Sequence, residues 1–304
     1  MTRSIGLAGS ILIQFGKSAF TVIQNPLNES WIFYMIDHPL QPLLDRAVAV
    51  IPLALSPEDA EVIQNTVHMR FQDIPVVHFM RTAHFLSLLR SSQLCAKRLD
   101  LYADTDPYEG LYPAENQLRG SSIEAQMEAA LPIVTDKKAM AESQSVERKL
   151  SYIHCWFEGS PRDKSMWEHY GHSGKGVCIT TTSGALQRAL REQPDHLHYD
   201  LGRCTYRDES EPIPECFSIV PAFRKRRSFD WEKEVRVLAQ IRTEHLPHDE
   251  AGYLTEAPEF QYLPVDLNTL VQGAITGPAI AAEQIGEIVL IASSLSLADR
   301  IRPF

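Results

Sequence analysis

The chain has no CxxC pair, and its cysteines (Cys95, Cys155, Cys178, Cys204 and Cys216) are odd in number. Both facts argue against a disulfide framework and a cysteine-based zinc site, and they imply a reducing compartment. No uninterrupted apolar run approaches bilayer length, and the short one near the N-terminus is broken at Gln14 and Lys17. The expectation is therefore a cytoplasmic protein without a membrane anchor. Also missing are a GxGxxG leading into a helix, a Walker loop, a GxSxG elbow and an HExxH helix. Dinucleotide-fold, nucleoside-triphosphatase, serine-hydrolase and zincin chemistries thus have no sequence support. Positive charge is in short supply: 29 Lys and Arg against 39 Asp and Glu leave a net charge of −10. A general surface of that sign does not coat nucleic acid or an anionic membrane.

What is present is an ordinary globular composition, 44% hydrophobic and 22% charged over 304 residues, enough to bury a sizeable core. Residues 1–71 read as an α/β elaboration, with strand-like runs at 11–15, 20–24 and 47–52. A helix follows, with Ser56 as cap and Pro57 at its first position. Residues 72–304 read as the main unit. It opens with a strand at 74–81 and an amphipathic helix at 82–90 capped by Thr82, then a polar helical excursion over 121–150. Further strands are expected at 152–157, 176–180 and 203–206, and helices at 164–170, 183–192 and 217–226. The tail reads as a helix at 279–285 followed by a strand at 287–292. Short strands with intervening helices predict an α+β fold with a mixed, partly split sheet rather than a parallel βαβ repeat.

The most informative segment is 229–238, FDWEKEVRVL, which reads as one strand. Side chains two apart on a strand share a face, so Glu232, Glu234 and Arg236 would converge while Trp231, Val235 and Val237 point away. Two like charges at neighbouring same-face positions repel unless an arginine, solvent or a ligand compensates them. The bland explanation is a solvated face with a structural Glu–Arg pair. The basic run 224–227 immediately upstream suits a solvated loop, or a phosphorylated small molecule held beside carboxylates.

Asp106, Pro107 and Glu109 make a complete capping box, which explains this acidic turn without any ion, although Asp104, Asp106 and Glu109 could also serve a hard cation. The segment 166–170, MWEHY, followed by Gly171, Gly174 and Gly176, could wall a pocket. Trp167 and Tyr170, three apart, could equally pack into a core, and His169 could act as acid or base. His78 and His154 lie on strands and read as hydrogen-bonded structural residues. Arg81 ends a mostly apolar strand, where a buried guanidinium would need a carboxylate or phosphate.

The ordered motifs Met80-Arg81, 105–109 (TDPYE), 166–170, 175–179 (KGVCI) and Lys225 followed by 229–236 resemble a bacterial family of unknown function, numbered 2971 among such domain families. The resemblance spans roughly 74–294 and leaves 1–71 outside. This chain has Met80, Thr105 and Phe229 where the family pattern has Tyr, Asn and Trp.

More distantly, Arg81, the Thr180–Ser183 run and Glu232-x-Glu234 resemble the arginine, serine-threonine-serine and Glu-x-Glu elements of ADP-ribosyltransferases. That resemblance implies NAD as substrate, Glu234 as catalytic carboxylate and Glu232 orienting a macromolecular acceptor. Arg81 would bind cofactor phosphate and Tyr170 would stack on nicotinamide, with Lys225, Arg236, Trp167 and Thr180 completing the cofactor site. It also implies a bacterial toxin or anti-phage effector, with residues 1–71 free to meet an antitoxin or defence partner. Thr180–Ser183 is equally well explained as a helix cap. Two alternatives stay open. One is a metal-dependent nuclease using Asp104, Asp106, Glu109 and the two glutamates, with the 224–227 run on the phosphates. The other is a non-catalytic module sensing a nucleotide or phage component.

Overall fold

The computed structural model describes residues 10–15, 18–24 and 31–36, and then 73–112, 145–190, 194–211, 220–242 and 257–304. The expected strand at 47–52, the helix at 56, and most of the excursion at 121–150 lie outside the described residues. The chain divides into two compact units, Met1–Val67 and His68–Phe304. In the first, β1 (Ser10–Phe15), β2 (Ser18–Gln24) and β3 (Trp31–Ile36) form an antiparallel meander. β3 has no counterpart in the sequence expectation.

The second unit is α+β, built on a nine-stranded, mostly antiparallel sheet with flanking helices. Its strands are β4 (Pro75–Arg81), β5 (Gln93–Arg98), β6 (Ser151–Phe157), β7 (Gly176–Thr182), β8 (Leu197–Arg203), β11 (Glu234–Ile241), β12 (Phe260–Pro264), β13 (Gly273–Thr276) and β14 (Ile301–Pro303). A separate parallel pair joins β9 (Thr205–Arg207) to β10 (Arg224–Arg226). β6 is the branch point. One of its edges carries β11 along the whole strand; the other is shared by β5, at Tyr152 and Ile153, and β4, at Phe157. In the fork between β5 and β4, the His78 ring takes over from backbone, its Nδ1–H donating to the Cys155 carbonyl at 2.7 Å. Since a carbonyl only accepts, that contact fixes the proton on Nδ1.

Alternation along the strands sorts the two faces. Val235 and Val237 join Trp156, Val177 and Ile179 in the large core. It is covered by α1 (Thr82–Ser91), α3 (Ser183–Ala189), α4 (Leu267–Leu270) and α5 (Ala282–Ser294). The opposite face carries a smaller core of Val77, Phe79, Phe157 and Cys178 under Met166 and Trp167 of α2 (Lys164–His169). α2 starts where Asp163 accepts from the Met166 N–H at 3.1 Å, and α3 starts where Thr182 accepts from Ala185.

Several expectations need correction. α1 begins at Thr82, but this residue does not cap it; its hydroxyl donates to the Lys175 carbonyl at 2.7 Å. Residues 220–226 are a 3-10 turn and β10 rather than helix. The expected 203–206 strand is split between the last residue of β8, which occupies 197–203, and the first two of β9. The tail has one helix, α5, where a helix and a strand were expected. Among the described residues no helix is long and apolar enough to cross a membrane.

Candidate functional site

The site is a buried charge network on the face of the smaller core, where β11 begins. Residues 229–238 do not form one strand: Arg227–Glu232 is a 3-10 turn, Lys233 takes a left-handed conformation (φ 48°), and β11 starts at Glu234. The period-two placement therefore holds for Glu234 and Arg236 and fails for Glu232. Glu232 reaches the same place from the end of the turn. Trp231, expected to face away, instead stacks beside Tyr170 at 6.4 Å and 30°.

Arg236 is the centre of the network. Its Nε donates to Glu234 Oε1 at 2.7 Å, and its Nη1 donates to the Ala222 carbonyl at 2.5 Å and lies 2.6 Å from Glu109 Oε1. Lys225 Nζ bridges the two glutamates, 2.5 Å from Glu232 Oε2 and 2.7 Å from Glu234 Oε2. The Tyr170 hydroxyl donates to Glu232 Oε1. Glu232, Glu234 and Arg236 side chains are each 1% exposed and Lys225 is 12% exposed. The Tyr206 hydroxyl accepts from the Glu234 backbone N–H at 2.6 Å, holding the start of β11.

These contacts set the protonation. Burial alone would raise the Glu234 carboxyl, but Arg236 and Lys225 outweigh it and pull the pKa down to about 2. For Glu109 the balance falls the other way: burial raises its pKa despite Arg236. Burial and the hydrogen bond to Glu232 push the Tyr170 phenol up, and burial pushes the Cys155 thiol up, beside the Glu234 charge. Burial opposes the Lys225 charge, yet Glu234 keeps it firmly protonated.

The acidic turn at 104–109 enters this network instead of capping a helix, because the described residues after Asp106, 107–112, are not helical. Asp106 Oδ1 accepts from the Tyr108 N–H at 3.1 Å and pairs with Arg226 Nε at 2.9 Å, while Glu109 reaches Arg236. Sequence reasoning missed Glu109 and Asp106 as partners of β11 and β10. The available signal was Arg236 itself, since a guanidinium alternating with core valines must find carboxylates from elsewhere in the chain.

Of the residues expected in the site, the structure brings together Glu232, Glu234, Lys225, Arg236 and Tyr170. Arg81 is exposed at the far end of β4, and no described contact joins it to the network. Trp167 is a core residue, its indole N–H donating to the Pro161 carbonyl at 2.9 Å and its ring packed edge-on against Phe79. Thr180 sits on β7 beside Val77 and Gly273, with β4 and β6 lying between it and β11 in the sheet.

Residues 166–237 match the model of a family described as protein of unknown function (DUF2971). The DUF2971 match runs from α2 into β11 and takes in Tyr170, Lys225, Glu232, Glu234 and Arg236, while Asp106 and Glu109 fall outside it. It supports the resemblance to that family and brings no activity with it. It lends no support to the resemblance to ADP-ribosyltransferases. No curated protein and no solved structure matches the chain.

Proposed function

We propose that the second unit is an NAD-consuming enzyme of the ADP-ribosyltransferase type, acting at Glu232 and Glu234 on a macromolecular acceptor as a toxin or anti-phage effector. The observation that carries this reading is the convergence of two carboxyl groups with the Tyr170–Trp231 aromatic stack at one edge of the network. In the reaction the bond between ribose C1′ and the nicotinamide nitrogen breaks, and its electron pair neutralises the departing pyridinium. Positive charge builds on the ribosyl centre, where the Glu234 carboxylate stabilises it. The acceptor nucleophile bonds to C1′ and its proton passes to Glu232. Tyr170 and Trp231 offer π-faces for the nicotinamide, and the exposed Arg81 guanidinium is free to meet a phosphate of the cofactor.

A second reading, a ligand-sensing module without turnover, draws on the fact that Glu232 and Glu234 are already bonded to Lys225, Arg236 and Tyr170. The nuclease reading is not carried forward. Asp106, Glu109, Glu232 and Glu234 each face a lysine or arginine, and among the described residues no three His, Cys, Asp or Glu side chains converge as metal ligands.

The test is nicotinamide release from NAD by purified wild type, Glu232→Gln and Glu234→Gln, with and without cell lysate as acceptor source. Glutamate-dependent release supports the enzyme, and lysate dependence supports transfer over hydrolysis. Saturable NAD binding with no release in either condition moves the assignment to the sensor.

A further inference from the structure

We propose that Lys225 is a tethered occupant of a cation site formed by Glu232 and Glu234, and that a ligand enters as an organic cation displacing the Lys225 ammonium. Nζ is held on three sides: by Glu232 Oε2 at 2.5 Å, by Glu234 Oε2 at 2.7 Å, and by the Phe229 ring, 4.8 Å from its centroid. Two carboxylates and an aromatic face are what a receptor for an ammonium or pyridinium presents.

The two cations of the network are not equivalent. Arg236 is clamped by Glu109, Glu234 and the Ala222 carbonyl and is 1% exposed, so it belongs to the frame. Lys225 extends from the three-residue strand β10 and is 12% exposed, against 1% for Glu232, Glu234 and Arg236. Withdrawing it leaves Glu232 Oε1 bonded to Tyr170 and Glu234 Oε1 bonded to Arg236. Glu232 Oε2 is then released, and Glu234 Oε2 keeps only the long contact from Arg236 Nη2 at 3.4 Å. Two oxygens fall short of the six to eight that a hard divalent cation takes. They suit a single positive charge, and the Trp231 ring, 40% exposed and stacked beside Tyr170, extends the aromatic wall outward. The inference concerns the same carboxylates as the NAD reading but does not depend on glycosidic chemistry, so the two can fail separately.

Lys225→Met keeps the length of the stem and removes the charge. Wild type and variant are titrated with 1-methylnicotinamide, with methylammonium, and with neutral nicotinamide, reading intrinsic fluorescence and Tm. The variant is expected to bind 1-methylnicotinamide at least tenfold more tightly than wild type and to gain Tm with methylammonium, while nicotinamide does neither. Equal affinity of both proteins for the charged and neutral rings, or a variant indifferent to methylammonium, overturns the proposal. Should Lys225→Met fail to fold, wild type answers through reductive methylation of Lys225 followed by mass spectrometry. Faster labelling with saturating 1-methylnicotinamide supports displacement, and unchanged or slower labelling overturns it. Nicotinamide release from NAD without displacement would leave the enzyme reading standing and remove this one; displacement without release would do the reverse.

Discussion

Glu109 Oε1 lies 2.6 Å from Arg236 Nη1 with both side chains at most 3% exposed, tying the turn after β5 to β11. Such a pair gains little net stability over a well-packed apolar pair, but removing one partner strands the other charge in the interior. Arg236 would keep Glu234, which softens the loss. Glu109→Ala is therefore expected to cost about 3 kcal/mol in urea denaturation, the low end for breaking a buried pair. Glu109→Gln, which can still accept from Arg236, should cost less. A loss below about 1 kcal/mol for Glu109→Ala would mean that the turn is not braced through this contact.

The Tyr170 hydroxyl is the one aromatic hydroxyl that the described contacts place on Glu232. Tyr170→Phe removes the donor and leaves the ring between Phe157, at 4.9 Å, and Trp231. The expected stability cost is about 1.5–3 kcal/mol, that of a hydrogen bond to a carboxylate. Urea denaturation of the variant against wild type measures it. A cost below about 0.5 kcal/mol would separate the phenol from the network.

Acid stability has an upper limb set by histidine and a lower one set by Glu234. Burial pulls His78 from its ordinary 6.5 down to about 4, and it holds His154 well below the usual range as well. An imidazole that stays neutral when folded binds its proton first in the unfolded chain. Stability is thus full above pH 6.5 and falls as pH drops from 6.5 towards 4, on the order of 3 kcal/mol for His78. The Glu234 share is present above its ordinary 4.5 and is lost as pH falls towards about 2. His78→Asn, whose amide can still donate to the Cys155 carbonyl, should flatten the limb between pH 6.5 and 4 and leave the lower limb in place. Denaturation midpoints across that pH range decide it.

The parts of the molecule that local physics settles were legible in the sequence. The strands expected at 152–157 and 176–180 and the helix expected at 164–170 depend on residues within a turn or strand of each other, and they appear as β6, β7 and α2. The sequence also pointed to Glu234, Arg236 and Lys225 acting together, because Glu234 and Arg236 share a strand face next to a basic run. What it concealed was decided at a distance. Lys233 enters the left-handed region and ends the turn, so Glu232 arrives from a different element than its spacing implied. Asp106 and Glu109 satisfy every local rule for a helix cap, and their true partners, Arg226 and Arg236, lie far away in the chain. The fork at β6 rests on long-range pairing that no periodicity encodes.

The same contest between local and distant forces shaped α5, and two glycines test it. The sequence reads as a helix at 279–285 followed by a strand at 287–292, yet Ala282–Ser294 is one helix. Ile288 and Ala292, four apart, are both fully buried, and α5 packs against α1, so burial of that stripe outweighs local propensity. A Cβ on Gly286 would meet nothing within 4 Å. Gly286→Ala should therefore stabilise the protein by about 0.5–1 kcal/mol, the helix-propensity difference between the two residues. Gly277 is the counter-case, because a Cβ there would lie 2.2 Å from the Gly174 carbonyl oxygen and press on backbone. Gly277→Ala should destabilise by at least about 1 kcal/mol, since no rotamer can relieve the clash. Opposite shifts in Tm for the two variants are the expected result. A destabilising Gly286→Ala would show that something beyond the described residues approaches that face of α5.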